Sequence, residues 1–74
     1  MVQIGDIVIA NDKDLKSAKD ELKSLRKLLR HVRQFLINEE DDDMRDVWIS
    51  DIYNYQRDIK NLKEAIKQYE QEAK

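Results

Sequence analysis

The side chains able to do chemistry are few and poorly spaced for it. His31 is the only histidine, serines stand at 17, 24 and 50, and there is no cysteine. A nucleophilic hydroxyl needs a base within hydrogen-bond reach and a third group to orient that base. None of these serines has such a pair, and His31 reads as a surface residue. One imidazole cannot supply a metal cluster, and the missing cysteines remove thiol catalysis, disulfides and the usual zinc sites. The run Asn38-Glu39-Glu40-Asp41-Asp42-Asp43 offers consecutive carboxylates. It has no glycine for an EF-hand-type turn and no companion ligand nearby. It therefore reads as a solvated loop and helix cap. There is no Gly-rich phosphate loop, and no carboxylate is forced into a desolvated pair. No enzyme activity, cofactor, metal or small-molecule substrate is expected.

The elements that carry these residues follow from composition and period. The 74 residues are 41% hydrophobic and 41% charged, with one glycine and no proline. A multi-strand fold needs turns, and turns draw on Gly and Pro for their backbone angles; that supply is missing. No apolar run approaches the ~18 residues of a membrane-spanning helix, and no basic region precedes an apolar stretch at the N-terminus. A helix-rich cytoplasmic protein is expected, as a single domain over 1–74 with an extended arm at 1–10 and an acidic loop at 38–43.

Two helical patterns flank that loop, at about 11–37 and 43–73. Asn11 or Asp12 can cap the first helix, and Asp14 sits where the helix dipole favours negative charge, with Arg30, His31 and Arg33 towards the other end. Leu15, Ala18, Leu22, Leu25, Leu29, Val32 and Leu36 recur at alternating steps of three and four. Trp48, Ile52, Tyr55, Ile59, Leu62, Ile66, Tyr69 and Ala73 do the same. This is the a/d stripe that faces a partner helix. Folding the chain back at Asp42 sets Leu36 against Trp48, Val32 against Ile52, and so on through Leu22 against Leu62 to Leu15 against Tyr69. The fold class is all-α, an antiparallel two-helix hairpin.

Such a hairpin is weak alone, since a single core of this size rarely supplies more than about 3–5 kcal/mol. Apolar residues outside the seam suggest where help comes from. With Leu15 as position a, the g column reads Asp14, Glu21, Leu28, Phe35, and near the loop Met44, Val47, Ile49 and Tyr53 also fall outside the stripe. A cluster of this kind rimmed by charge marks an interaction surface. Leu28, Phe35, Trp48, Ile49 and Tyr53 are the expected partner interface, with dimerisation into a four-helix bundle the preferred outcome. The arm at Val2 to Ile9 is β-branched and apolar. It is expected either as a strand, pairing across a dimer or with another protein because a lone strand has no ladder partner, or as an irregular arm folded onto the helices.

The charges are sorted although the net is only −2. Lys16, Lys19, Lys23, Arg26, Arg30 and Arg33 share the b and e columns of the first helix; Lys60, Lys63, Lys67 and Lys74 share those of the second. Asp14, Glu21, Asp51, Asp58 and Glu72 lie on the opposite flank. Three readings stand: the basic flank of one copy meets the acidic flank of another, the face is solvated and screened, or it binds nucleic-acid phosphate. In the last, Lys23, Arg26, Arg30 and Arg33 are the contacts and Tyr53 stacks a base; an isoelectric point near 5.3 and the lack of a nucleic-acid-binding motif weigh against it. A membrane-surface role is disfavoured because the seam uses the apolar face.

The stretch Ile9 to Lys19 (IANDKDLKSAK) resembles the opening of the helical region that precedes the helix-turn-helix in some bacterial antitoxin-like regulators, and Leu62 to Glu70 (LKEAIKQYE) is similar to its end. The resemblance implies a hairpin used for dimerisation or for contact with a toxin. This chain has no helix-turn-helix, so operator binding does not carry over. By shape alone the pattern is also similar to small plasmid-encoded hairpins that dimerise and bind RNA on a basic face. The expected function is that of a non-enzymatic interaction or regulatory module acting by self-association or through a protein partner; the alternative is an RNA- or DNA-binding four-helix bundle.

Overall fold

Helix α1 spans Asp12–Asn38 and opens on a double cap. Asn11 Oδ1 accepts from the Asp14 amide at 2.9 Å, and Asp14 Oδ2 accepts from the Ala10 amide at 3.0 Å. The side chain three positions into the helix thus reaches back past the cap, a variant of the capping box, and ties the incoming chain to the first turn. Helix α2 spans Asp42–Glu72. Its cap is Asp41, whose side chain accepts from the Asp43 amide at 2.9 Å while its carbonyl accepts from the Arg45 amide. A computed structural model describes residues 1–72; Ala73, at the end of the expected seam, and Lys74, in the expected basic columns, lie outside the described residues.

The acidic loop is shorter than its sequence suggests. Only 39–41 separate the helices, because Asp42 and Asp43 enter the first turn of α2, where the dipole favours them. The positive charge at the end of α1 also has a different source. Its last turn holds no basic residue, so Arg30, His31 and Arg33 fall short of it. Arg45 reaches back from α2 instead, its Nη1 donating to the carbonyls of Leu36 at 3.1 Å and Glu39 at 3.2 Å. One side chain thus bonds the Glu39 carbonyl and adds a second donor to the Leu36 carbonyl, which also accepts from the Glu39 amide at 3.3 Å.

The helices pack antiparallel in the expected register. Phe35 meets Trp48 near the loop, with ring centroids 5.5 Å apart and planes tilted by 40°. At the other end the Tyr69 hydroxyl donates to Asp12 Oδ1 at 2.9 Å, and Lys19 pairs with Glu70 at 3.0 Å. The bond to Asp12 raises the Tyr69 phenol above its ordinary range, aided by burial and the charges of Asp12 and Asp14.

The N-terminal arm corrects the sequence reading. It is neither a lone strand awaiting another chain nor an irregular arm. Strands β1 (Val2–Ile4) and β2 (Ile7–Ile9) pair with each other in an antiparallel hairpin, Val2 opposite Ile9 and Ile4 opposite Ile7. Gly5 turns the chain at φ +58°, and among the described residues no other has a positive φ. A glycine at the first central position followed by a residue of negative φ is the pattern of a type II′ hairpin turn, whose twist matches the strands it joins.

Strand alternation places Val2, Ile4, Ile7 and Ile9 on one face, and that face lies on the helices. Val2, Ile9, Ala18, Leu62 and Ala65 form the central cluster, five of the seven buried hydrophobic residues among those described. The core is therefore at the terminal end of the hairpin. Ala65, which belongs to no expected seam position, is fully buried, whereas Ile66 from the seam is only half-buried. Alanines at 18 and 65 leave room for the strands, and the buried side of α2 rotates to meet them.

Candidate interaction surfaces

The two-helix layer has two broad faces, and the β-hairpin occupies one of them in part. Its turn lies beside Glu21 on α1 and Arg57–Asp58 on α2. Beyond that point the same face is bare. Leu28 and Phe35 follow Glu21 at steps of seven, and Met44 and Asp51 precede Asp58 likewise, so heptad spacing carries these residues along the face that the strands cover further back. Leu28, Phe35, Met44 and Val47 are all solvent-exposed there, Phe35 by 54%. Trp48 is half-buried beneath Phe35, and its Nε1 is shielded from solvent without an acceptor among the described residues. A shielded donor left unbonded costs about 1–3 kcal/mol, so this end of the layer is not at its best alone.

The structure divides the expected interface residues. Phe35 packs on Trp48, and heptad spacing sets Leu28, two turns from Phe35, on the same face with Met44 and Val47. Ile49 and Tyr53 are exposed, but their heptad columns place them towards the opposite, basic face. Met44 and Val47 were visible in the sequence as off-seam apolar residues; what decided their grouping with Phe35 was the columns' position relative to the strands.

The opposite face is a groove between the helices. Leu22, Leu29, Ile59 and Ile66 form its floor, and Arg26, Lys60, Lys63 and Lys67 line its rim together with Glu64 and Glu70. Lys23, Arg26, Arg30 and Arg33, the expected nucleic-acid contacts, are exposed. Among the described residues the only ion pair made by this basic set is Lys19 with Glu70.

The acidic flank, by contrast, is partly engaged within the chain. Asp14 bonds the Ala10 amide, Glu72 pairs with the N-terminal amine at 3.6 Å, and Glu21 and Asp58 sit beside the β-turn. The strands lie over the terminal half of that flank.

No chemistry assembles around the histidine. Ser24 shares a heptad column with His31 but is two turns away, about 10.5 Å along the axis. Among the described residues no helix is long and apolar enough to cross a membrane, and no three His, Cys, Asp or Glu side chains are placed to hold a metal. No protein-family model, curated protein or solved structure matches the chain. The likeness to antitoxin-like helical regions rests on the residues quoted above.

Proposed function

We propose that this chain is a non-catalytic interaction module that works by docking protein on the bare loop half of its β-hairpin face. One observation carries this: exposed Phe35 packs on Trp48, and Leu28, Met44 and Val47 are also exposed along a face whose other half is already covered. Contiguous apolar surface rimmed by charge is the physical mark of a protein-binding site, and the aromatic pair Phe35–Trp48 is the anchor type that dominates such sites. The docked protein is a second copy or a partner, as a regulatory role like that of antitoxin-like regulators requires. A cytoplasmic setting fits this role.

The test is capture from the native host with tagged wild type and the tagged variant Phe35→Ser, both checked for equal helicity by circular dichroism. Wild type should retain at least one protein, or an untagged copy of itself, that the variant loses. Identical recovery with both removes the reading.

A second reading, binding of RNA or DNA phosphate by the basic face, is favoured by the concentration of Lys23, Arg26, Arg30 and Arg33 on one side of α1. Phosphate contacts are strongest at low salt. Absence of binding to RNA and DNA under those conditions eliminates it.

A further inference from the structure

The bare patch and the basic groove complement each other in charge, and both offer apolar surface. The patch is an apolar ridge, and seven carboxylates lie at or near the loop it borders: the run 39–43, with Asp46 and Asp51. Arg45, the one arginine in that stretch, is committed to the carbonyls of Leu36 and Glu39. The groove has the opposite balance: an apolar floor lies beside Arg26, Lys60, Lys63 and Lys67, which outnumber Glu64 and Glu70, and Glu70 is already paired with Lys19. Nucleic acid would use the rims and gain little from the floor. A protein surface with acids around an apolar ridge uses both, and this chain carries such a surface.

We infer that the occupant of the groove is the loop-half patch of a second copy, so that the chain associates head to tail. The inference rests on the docking role proposed for the patch. Geometry decides the symmetry. Patch and groove lie on opposite faces of one layer, so a copy seated on the patch is on the wrong side to offer its own patch to the groove. A closed two-fold pair cannot satisfy both surfaces. Contacts between unlike surfaces are heterologous and continue, closing into a ring or remaining an open row. A face-to-face pair through the basic sides would also bring cationic rows together, which costs free energy. Charge sorting on a chain of net −2 then has a physical purpose: each copy presents a positive face to the negative end of the next.

Two variants test this. In Phe35→Ser/Val47→Ser the patch is removed, and in Lys63→Glu/Lys67→Glu the groove rim is reversed. All four residues are exposed, and circular dichroism establishes that each variant is folded; Val47→Ser alone replaces the first if it is not. Sedimentation of purified wild type at rising concentration should show mass growing past two chains, with association about tenfold weaker at high salt because exposed charges are then screened. Each variant alone should be monomeric. Mixed in equal amounts they should form a one-to-one pair, since one still has a groove and the other a patch. Wild type that stops at two chains, or a mixture that stays monomeric, overturns the inference. So does a wild type that is monomeric throughout; host capture that still depends on Phe35 would then preserve the patch as a docking site for another protein.

Discussion

The two halves of the helical hairpin are built from the same heptads yet end in different states. In the terminal half, a third layer lies over the seam and Ile9, Leu62 and Ala65 are essentially inaccessible to solvent. In the loop half, two helices stand alone, with Leu29 and Val32 buried between them and Phe35 on the outside. The molecule is correspondingly long, 49 Å by 18 by 14 Å. Two packed helices without a further layer leave an apolar margin that must be hidden by something. Ten N-terminal residues do this at one end. The other end has no such third layer among the described residues.

Substitutions should separate the halves sharply. Ile9→Ala removes a fully buried side chain from the covered half, and large-to-small changes at such sites cost about 2–5 kcal/mol. For a domain of this size that is most of the stability, so thermal unfolding by circular dichroism should shift far down or lose its cooperativity. Phe35→Ser, in the bare half, should cost no more than about 1 kcal/mol, because half of that surface is already wet. Equal losses at the two positions would break the comparison.

Next in size is Gly5→Ala. A Cβ at Gly5 would meet nothing within 4 Å, so the whole penalty is the left-handed backbone, about 1–2 kcal/mol. It should appear in the melt and also loosen the hairpin, measured as faster amide exchange at Ile4 and Ile9. Asn11→Ala should cost about 1 kcal/mol through the lost cap. It weakens the joint between β2 and α1 and should leave exchange in the loop half unchanged.

The smallest effect concerns Tyr69. Its raised pKa means that the folded state favours the neutral phenol, which donates to Asp12. That contribution is complete below the ordinary tyrosine pKa near 10 and is lost as pH rises through the raised value. Tyr69→Phe should melt slightly below wild type at neutral pH, and the gap should close in alkaline solution. A gap that persists there would assign the contact a packing role instead.

How far the sequence can be read differs between these regions in the same way. The two helices, their antiparallel pairing and a cap at Asn11 or Asp12 follow from local spacing; the structure keeps the hairpin and places the cap at Asn11. The β-hairpin also had a signal, since Gly5-Asp6 between two short β-branched runs is a two-residue turn of the favoured type. Treating Val2 to Ile9 as one strand obscured it. Burial of Ala65 had no such signal. Its column carries Asp51, Asp58 and Glu72, and an alanine among acids marks no stripe. Among the expected interface residues, Phe35 packs on Trp48 and Leu28 shares its heptad column, while Ile49 and Tyr53 fall in columns of the basic face, a division that depends on which face the strands cover.

The sequence by itself determined what is periodic: two amphipathic helices of matched heptad spacing and sorted charges on either side of an acidic connection. These depend on contacts a few residues apart or repeated at fixed steps, which composition and spacing encode directly. Tertiary structure alone decided which broad face the β-hairpin takes, and hence which acids are occupied, which cations are open and where the apolar margin is bare. That choice depends on how closely strands can approach a helix pair, set by the small side chains of Ala18 and Ala65 meeting Val2 and Ile9. Such a fit exists only once segments distant in the chain are brought together.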